Sequence, residues 1–433
     1  MSVQLLKNEA GERRYVLFLL FLVSVLSYVD RTILSILQVP IKADLGLSDS
    51  QLGALTGLSF ALFYATLAVP IARLADRTVR KRLVAGALAT WSAMTALTGL
   101  AGSFASLVFF RIGVAAGEAG SIPASQSMIA DIYPPDSRAT AFAFWGLSLP
   151  AGLMLGYAGA GALEQMFGWR ITFAIVGGAG LLLAPIVLWT LREPVRGRYD
   201  PVAAQAESFS TMRSLGFLWA SRSLRCLFAA GALHTFTWCA ANSWNAPFYV
   251  RVHGMPLAEV ARDLALLNGF GSAIGMYLGG RLSDYFGARN PSGRLWVVSA
   301  ALLLLVPFAL AQYLVHSAAL SIALGAVTSV LMLVYYAPIV AVTQLQVPPG
   351  MRAFAAAVLL LVTNLFGLGL GPLATGFVSD ILVERYGMAA ESLRYALSLA
   401  VLLSWGAAWL FWRASSRMER EMPVSRMFLA STD

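Results

Sequence analysis

Four ionisable residues lie where nearly everything around them is apolar: Asp30 and Arg31 in YVDRTILSIL, and Arg111 and Glu118 in RIGVAAGEAG. Each sits inside an apolar run long enough to cross a bilayer core of about 30 Å. A charge there costs at least a few kcal/mol, roughly 2.5–3.5 on insertion scales. Two kinds of chemistry justify such a cost. Low dielectric favours the neutral form of a carboxylate, so a buried acid can exchange a proton. A guanidinium offers a planar fork of donors that fits phosphate or carboxylate. Arg111 and Glu118 are seven residues apart, so they share a helix face about 10 Å apart along the axis. They are too distant to pair with each other but well placed to reach another helix. Asp30 and Arg31 point about 100° apart and need not pair with each other. The plainest alternative is that the four charges neutralise one another and tie two helices together. Buried ion pairs stabilise poorly compared with apolar packing, which favours a switchable network with Asp30 and Glu118 as the proton-exchanging groups.

The elements that position these residues follow from composition. Of 433 residues, 58% are hydrophobic and 12% charged, against about 25% charged in soluble chains. Twelve apolar segments recur: 15–39, 51–72, 82–102, 104–130, 139–163, 170–191, 224–250, 257–280, 295–315, 318–342, 353–380 and 391–412. The chain therefore reads as an all-α polytopic membrane protein with 12 transmembrane helices. The net charge of +9 does not indicate nucleic acid, because most of the 31 Lys and Arg fall in alternate connections. The opposite connections hold Lys42, Arg170, Arg251, Arg262, Arg385 and Arg394. This positive-inside bias predicts a multi-pass protein of the cell's inner membrane with both termini cytoplasmic. MSVQLLKNEAGERR is polar and the apolar run after it is too long for a signal h-region, so no cleavable signal is expected.

Several function classes are disfavoured. Cys226 and Cys239 are thirteen positions apart on one predicted helix, roughly 20 Å, so they do not form a disulfide with each other. His234, His253 and His316 have no metal-ligand spacing, and no metal or cofactor is expected. Lys7, Lys42 and Lys81 are followed by Asn, Ala and Arg, so no GxxxxGK[ST] phosphate loop is present. Energy must come from a gradient, for which protons are the expected source, or from a separate subunit. No GxSxG, HExxH or paired-aspartate motif falls in the spans, and an enzyme is not expected.

The chain repeats itself. ARLADRTVRKR (72–82) and GRLSDYFGARN (280–290) match at Asp76 and Asp284; PPDSRATAFAF (134–144) and PPGMRAFAAAV (348–358) match at Arg138 and Arg352. The offsets are 208 and 214 residues. The reading is two parallel six-helix pseudo-repeats, 1–191 and 223–433, joined by a cytoplasmic linker, 192–222. Within that linker, FSTMRSLGFLW (209–219) is able to form an amphipathic helix along the interface; a flexible tether is the alternative. Parallel repeats related about the membrane normal are the layout of rocking transporters that bind substrate between their halves.

These motifs resemble the major facilitator superfamily, whose signature G-x-L-x-D-R-x-G-R-x-R follows spans two and eight. The first copy has Ala72 and Val79 where glycines are usual; the second keeps Gly280 and Gly287. The resemblance implies a cytoplasmic lock of Asp76 and Asp284 with Arg77, Arg80 and Arg289, and Arg138 and Arg352 extend this gating set. YVDRTILSIL, QLGALTGLSFALFYATLAVPIARLADR and RIGVAAGEAGSIPASQSMIADIYPPDSRA look like the bacterial branch of the spinster transporters. That implies a major facilitator fold, alternating access, helices 1 and 4 lining one cavity, and an amphiphilic anion such as a lysophospholipid or sphingoid phosphate as substrate. The substrate-binding set is then Arg31, Arg111 and Tyr28, with His234, Trp238 and Asn242 from helix 7, Tyr335 from helix 10 and Asn364 from helix 11. Glycines 152, 156, 159 and 161 in helix 5, and 367, 369 and 371 in helix 11, are expected to permit close helix packing. The expected partners are protons, membrane lipids and one small amphiphile, with a monomeric chain and no nucleic acid. The alternatives are a symporter of a soluble organic anion such as a sugar acid, a multidrug exporter, and a non-transporting membrane scaffold.

Overall fold

A computed structural model describes residues 2–196, 198–199 and 211–430; the side chains of 2–10, 68–69, 72–77, 135, 139, 349, 353, 419 and 422–430 are outside the description. Among the described residues the chain is helical throughout, with no strand. The N-terminal crossings are α1 (Ser2–Leu45), α2 (Asp49–Gly53, a π-helical turn Ala54–Leu58, then Ser59–Arg77), α3 (Arg80–Thr98) and α4 (Phe104–Glu118, resumed at Ser121–Ile132). Next come α5 (Pro135–Gly146, then 148–167) and α6 (169–190), separated by Gly168 at φ 76°. A left-handed φ is open to glycine without penalty, so the two crossings turn there. The second set is α7 (Arg222–His253), α8 (Leu257–Arg289), α9 (Gly293–Leu314), α10 (Ala318–Leu333, resumed at Tyr336–Leu345), α11 (Arg352–Val362, a π-helical stretch Thr363–Gly369, then Leu370–Tyr386) and α12 (Ser392–Ala430). The linker forms a helix, Thr211–Ala220, with Ser214 and Leu218 buried; the preceding residues of that expected segment, 209–210, lie outside the described residues.

Proline explains the breaks, and it does so twice at equivalent places. A proline inside a helix lacks an N–H and its ring clashes with the carbonyl four residues back. Pro123 puts that clash at Ala119, and α4 breaks at 119–120; Pro338 puts it at Val334, and α10 breaks at 334–335. The two prolines are 215 residues apart, close to the repeat offset, so the break belongs to both halves.

Most of the expected packing glycines do carry close approaches. A Cβ on Gly156 would stand 2.8 Å from Cβ of Thr32, one on Gly367 2.5 Å from the Thr235 methyl, and one on Gly371 2.5 Å from the Phe236 carbonyl oxygen; Gly152 crowds Tyr28 and Gly161 crowds Ala261 in the same way. Gly159 is the exception, with nothing within 4 Å of its added carbon. Overpacking against backbone typically costs about 1–3 kcal/mol. Gly371→Ala is therefore expected to lower the thermal midpoint of the detergent-solubilised protein by several degrees, while Gly159→Ala leaves it unchanged; equal shifts would contradict this packing.

By contacts the chain forms two compact units, Met1–Leu47 with Ser59–Ala204 and Leu257–Ala265, and Ser48–Leu58 with Gln205–Pro256 and Leu266–Asp433. This departs from the boundaries read in the sequence at two segments, the starts of α2 and α8. The 208-residue repeat offset carries 48–58 onto 256–266, so each half lends the other the same piece. A hydropathy pattern identifies spans but not which bundle the end of a span packs on.

Candidate substrate and proton site

In the first unit, the break in α4 leaves Glu118 as the last residue of its first segment. Its Oε2 accepts from Nε of Arg31 at 2.7 Å and from Oγ of Ser27 at 2.8 Å, while its Oε1 has no partner. The Arg31 side chain is 22% exposed and that of Glu118 1%. Arg31 also lies over the rings of Phe60, Tyr64 and Tyr28, at 4.9, 5.1 and 5.7 Å from the centroids. Phe60 and Tyr64 are one helical turn apart on α2 and stack at 5.4 Å. Such faces attract a desolvated cation.

Arg111 is placed differently. It is buried, its guanidinium carbon sits 4.7 Å from the centroid of the same Phe60, and its one printed hydrogen bond is a long one, NH1 to the backbone carbonyl of Asp30 at 3.4 Å. Its Nε is buried without a partner. The Asp30 carboxylate is buried beside Thr95, which hydrogen-bonds it, and Oδ1 is unpartnered. The helices thus bring Asp30, Arg31, Arg111, Glu118 and Tyr28 into one cluster. In it Arg31 and Glu118 form the ion pair, and Arg111 and Asp30 keep unspent hydrogen-bonding capacity. Sequence reasoning passed over Phe60, Tyr64, Ser27 and Thr95; the i, i+4 spacing of the two aromatics in an otherwise small-residue helix was the available signal.

In the second unit, the equivalent break in α10 is filled by a histidine. His234 Nε2 donates to the Met332 carbonyl at 2.9 Å, next to the break, and the imidazole meets the Tyr335 ring edge-on at 4.4 Å. Tyr335 in turn hydrogen-bonds Thr235 at 3.2 Å. Because Nε2 carries the proton, Nδ1 is an acceptor, and it is buried without a partner. Trp238, Asn242 and Asn364 are half-buried in the same unit, Asn364 on the π-helical stretch of α11. Trp244 by contrast is a packing residue, fully buried with its indole N–H on the Pro372 carbonyl at 2.9 Å.

The gating set separates. The side chains of Asp76 and Arg77 are outside the described residues. Arg80 is buried and its donors are used within the first unit: NH1 pairs with Asp131 and bonds Ser127, Nε meets Glu193 at 2.8 Å and NH2 the Pro194 carbonyl at 3.0 Å. Arg138 donates to the carbonyls of Ala130 and Tyr133, and Arg352 is exposed. The arginine expected at Asp284 is corrected: Arg294 makes the 2.9 Å contact, and Arg289 bonds the Tyr285 hydroxyl. Arg289 is five positions on, about 140° around the helix, whereas the turn into α9 returns Arg294 to the Asp284 side. Gly287 leaves the room, since its Cβ would stand 2.5 Å from the Arg294 side chain.

Residues 20–372 match the Major Facilitator Superfamily. The chain belongs to that superfamily. This facilitator is 34% identical over 403 residues, 93% of its length and 92% of the other's, to a protein of Mycolicibacterium smegmatis described as an MFS-type efflux pump. It is 26% identical to a hexuronate transporter of Bacillus subtilis, covering 90% and 92% of the two chains, and 23% identical to protein spinster homolog 1 of Xenopus tropicalis, covering 95% and 82%. Its fold matches the crystal structure of a bacterial homolog to the human lysosomal transporter Spinster, in an inward-facing and unoccupied conformation, with a TM-score of 0.87 at 31% identity over 95% of this chain and 98% of that one. The facilitator is a spinster-like membrane transporter and not an enzyme.

Proposed function

We propose that this facilitator is a proton-coupled secondary transporter of an amphiphilic anion, a lysophospholipid or sphingoid phosphate, working by alternating access with both termini in the cytoplasm. The observation that carries the reading is Arg111, a buried guanidinium with an unpartnered Nε beside an Arg31 already paired to Glu118. With Asp30 and Glu118 ionised, the cluster of two acids and two arginines is neutral. One proton on either acid leaves one positive charge uncompensated, and an anionic headgroup restores neutrality. Proton and anion therefore favour each other's binding, and anion affinity is expected to rise as pH falls. The exposed edge of Arg31 and the rings beneath both guanidiniums support a headgroup held with little surrounding water.

The lipid part of the reading rests on the aromatic and aliphatic residues of α7, α10 and α11. Each buried methylene contributes about 0.8 kcal/mol, or roughly fourfold in affinity. Binding of lysophospholipids with one headgroup and increasing acyl length, measured calorimetrically on the purified protein, is expected to tighten steadily with length. A tailless sugar acid binding as tightly as the long-chain ligands, with no gain from added methylenes, would instead favour a function like that of the hexuronate relative. A preference for cationic or neutral amphiphiles would favour drug efflux, where the arginines have no evident task.

A further inference from the structure

The first residues of α2 are tied down more thoroughly than a helix end requires. Ser48 already caps the helix, accepting from the Gln51 amide in a reciprocal capping box. In addition, the Asp380 carboxylate of α11 accepts from the Asp49 amide at 2.9 Å, the Ser50 amide at 2.7 Å and the Ser50 hydroxyl at 2.5 Å. The Asp49 side chain, fully buried, takes both its oxygens to Arg251 of α7, at 3.0 and 2.8 Å, and accepts from Ser379 at 2.6 Å. Glycines let the backbones touch below: a Cβ on Gly53 would fall on the Pro372 carbonyl, and one on Gly57 2.7 Å from the Gly369 carbonyl. All these partners belong to the unit that includes Ser48–Leu58, yet the chain on both sides, up to Leu47 and from Ser59, belongs to the other unit. The change of unit at Ser59 coincides with the end of the π-helical turn, a departure from regular helix often found at functional sites.

We infer that Asp380 and the Asp49–Arg251 pair form a latch that holds 48–58 against the second unit and opens once in each transport cycle. The inference rests on the alternating-access reading above, in which α2 begins on the outer side of the membrane. A segment anchored in one unit and continued at both ends by the other must let go, or bend at both ends, when the units move apart. The bonds are of a kind that releases readily at an outer surface: amide donors of a first helical turn and carboxylates, all of which water satisfies as well. The deep pair of Arg31 and Glu118 lacks that exchange. The equivalent segment of α8, 257–265, shows only an apolar contact of Ala261 with Gly161, so the polar latch is on one side of the pseudo-symmetry.

The test uses the full-length protein in membrane vesicles with Cys226 and Cys239 replaced by alanine and Leu55→Cys as the reporter, since Leu55 is 1% exposed. A membrane-impermeant maleimide is expected to label Leu55→Cys slowly from the outer side, and at least tenfold faster once Asp380→Ala or Asp49→Asn is added. Acceleration from the inner side only would support the latch while overturning the topology of the functional reading. Unchanged labelling from both sides in variants that keep their thermal midpoint would overturn the latch. Independently, Ser50→Cys with Asp380→Cys, joined by a short bifunctional thiol reagent, is expected to lose at least nine-tenths of transport and to regain it on reduction. Full transport by quantitatively cross-linked protein would mean that the segment bends without letting go, and would overturn the inference.

Discussion

Arg111→Ala is expected to weaken binding of an anionic amphiphile by about one to two orders of magnitude, the range for hydrogen bonds to a charged group worth about 1.5–3 kcal/mol. A zwitterionic analogue with the same chain should lose less than threefold. The asymmetry follows from the placement of Arg111: its Nε has no partner and its one printed hydrogen bond is 3.4 Å long, so removing it orphans little inside the protein. The thermal midpoint should barely change, which separates this outcome from general damage. Arg111→Lys is expected to recover the charge but not the planar fork, and so to restore affinity only in part. Equal weakening of anionic and zwitterionic ligands would mean that Arg111 packs against Phe60 and nothing more.

The second large effect concerns the acids. Glu118→Gln leaves Arg31 without its counter-charge. Breaking a fully buried pair costs about 3–5 kcal/mol; the penalty here should be smaller, because Arg31 is 22% exposed. The double variant Arg31→Gln/Glu118→Gln should be close to the native protein in thermal stability, because no charge is stranded, yet inactive in transport. Asp30→Asn strands nothing: Thr95 stays beside it and Oδ1 was already unpartnered. If Asp30 or Glu118 carries the transported proton, neutralising that residue should abolish gradient-driven accumulation and leave exchange of substrate across the membrane intact. Full pH-driven accumulation by both Asp30→Asn and Glu118→Gln would remove these carboxylates from the coupling step.

The four deep charges were legible because a charge within an apolar span is expensive enough to be conspicuous in any reading frame. Which acid pairs with which arginine was not. Glu118 takes Arg31 because α4 breaks immediately after it and turns the carboxylate toward α1, a consequence of Pro123 that no charge pattern reveals. The same rule hid the partner of His234, since the carbonyl it meets lies beside the break made by Pro338. The repeat itself was readable from Asp76 with Asp284 and Arg138 with Arg352, but the exact ion pair at Asp284 depended on the turn into α9. Asp49, Arg251 and Asp380 escaped notice for a further reason: charges at the ends of spans are ordinary, and only the three-dimensional crossing of α2 with α11 marks them as linked.

Accumulation in proteoliposomes bears most directly on the central claim. The purified protein is reconstituted, an inward or outward pH gradient is imposed, and uptake of a lysophospholipid, a sphingoid phosphate and a sugar acid is followed side by side. The account predicts that one of the two lipid anions accumulates above equilibrium only under the gradient, that collapsing the gradient with a protonophore abolishes it, and that the sugar acid does not accumulate. Gradient-driven accumulation of the sugar acid without either lipid, or lipid movement indifferent to the gradient, would contradict it.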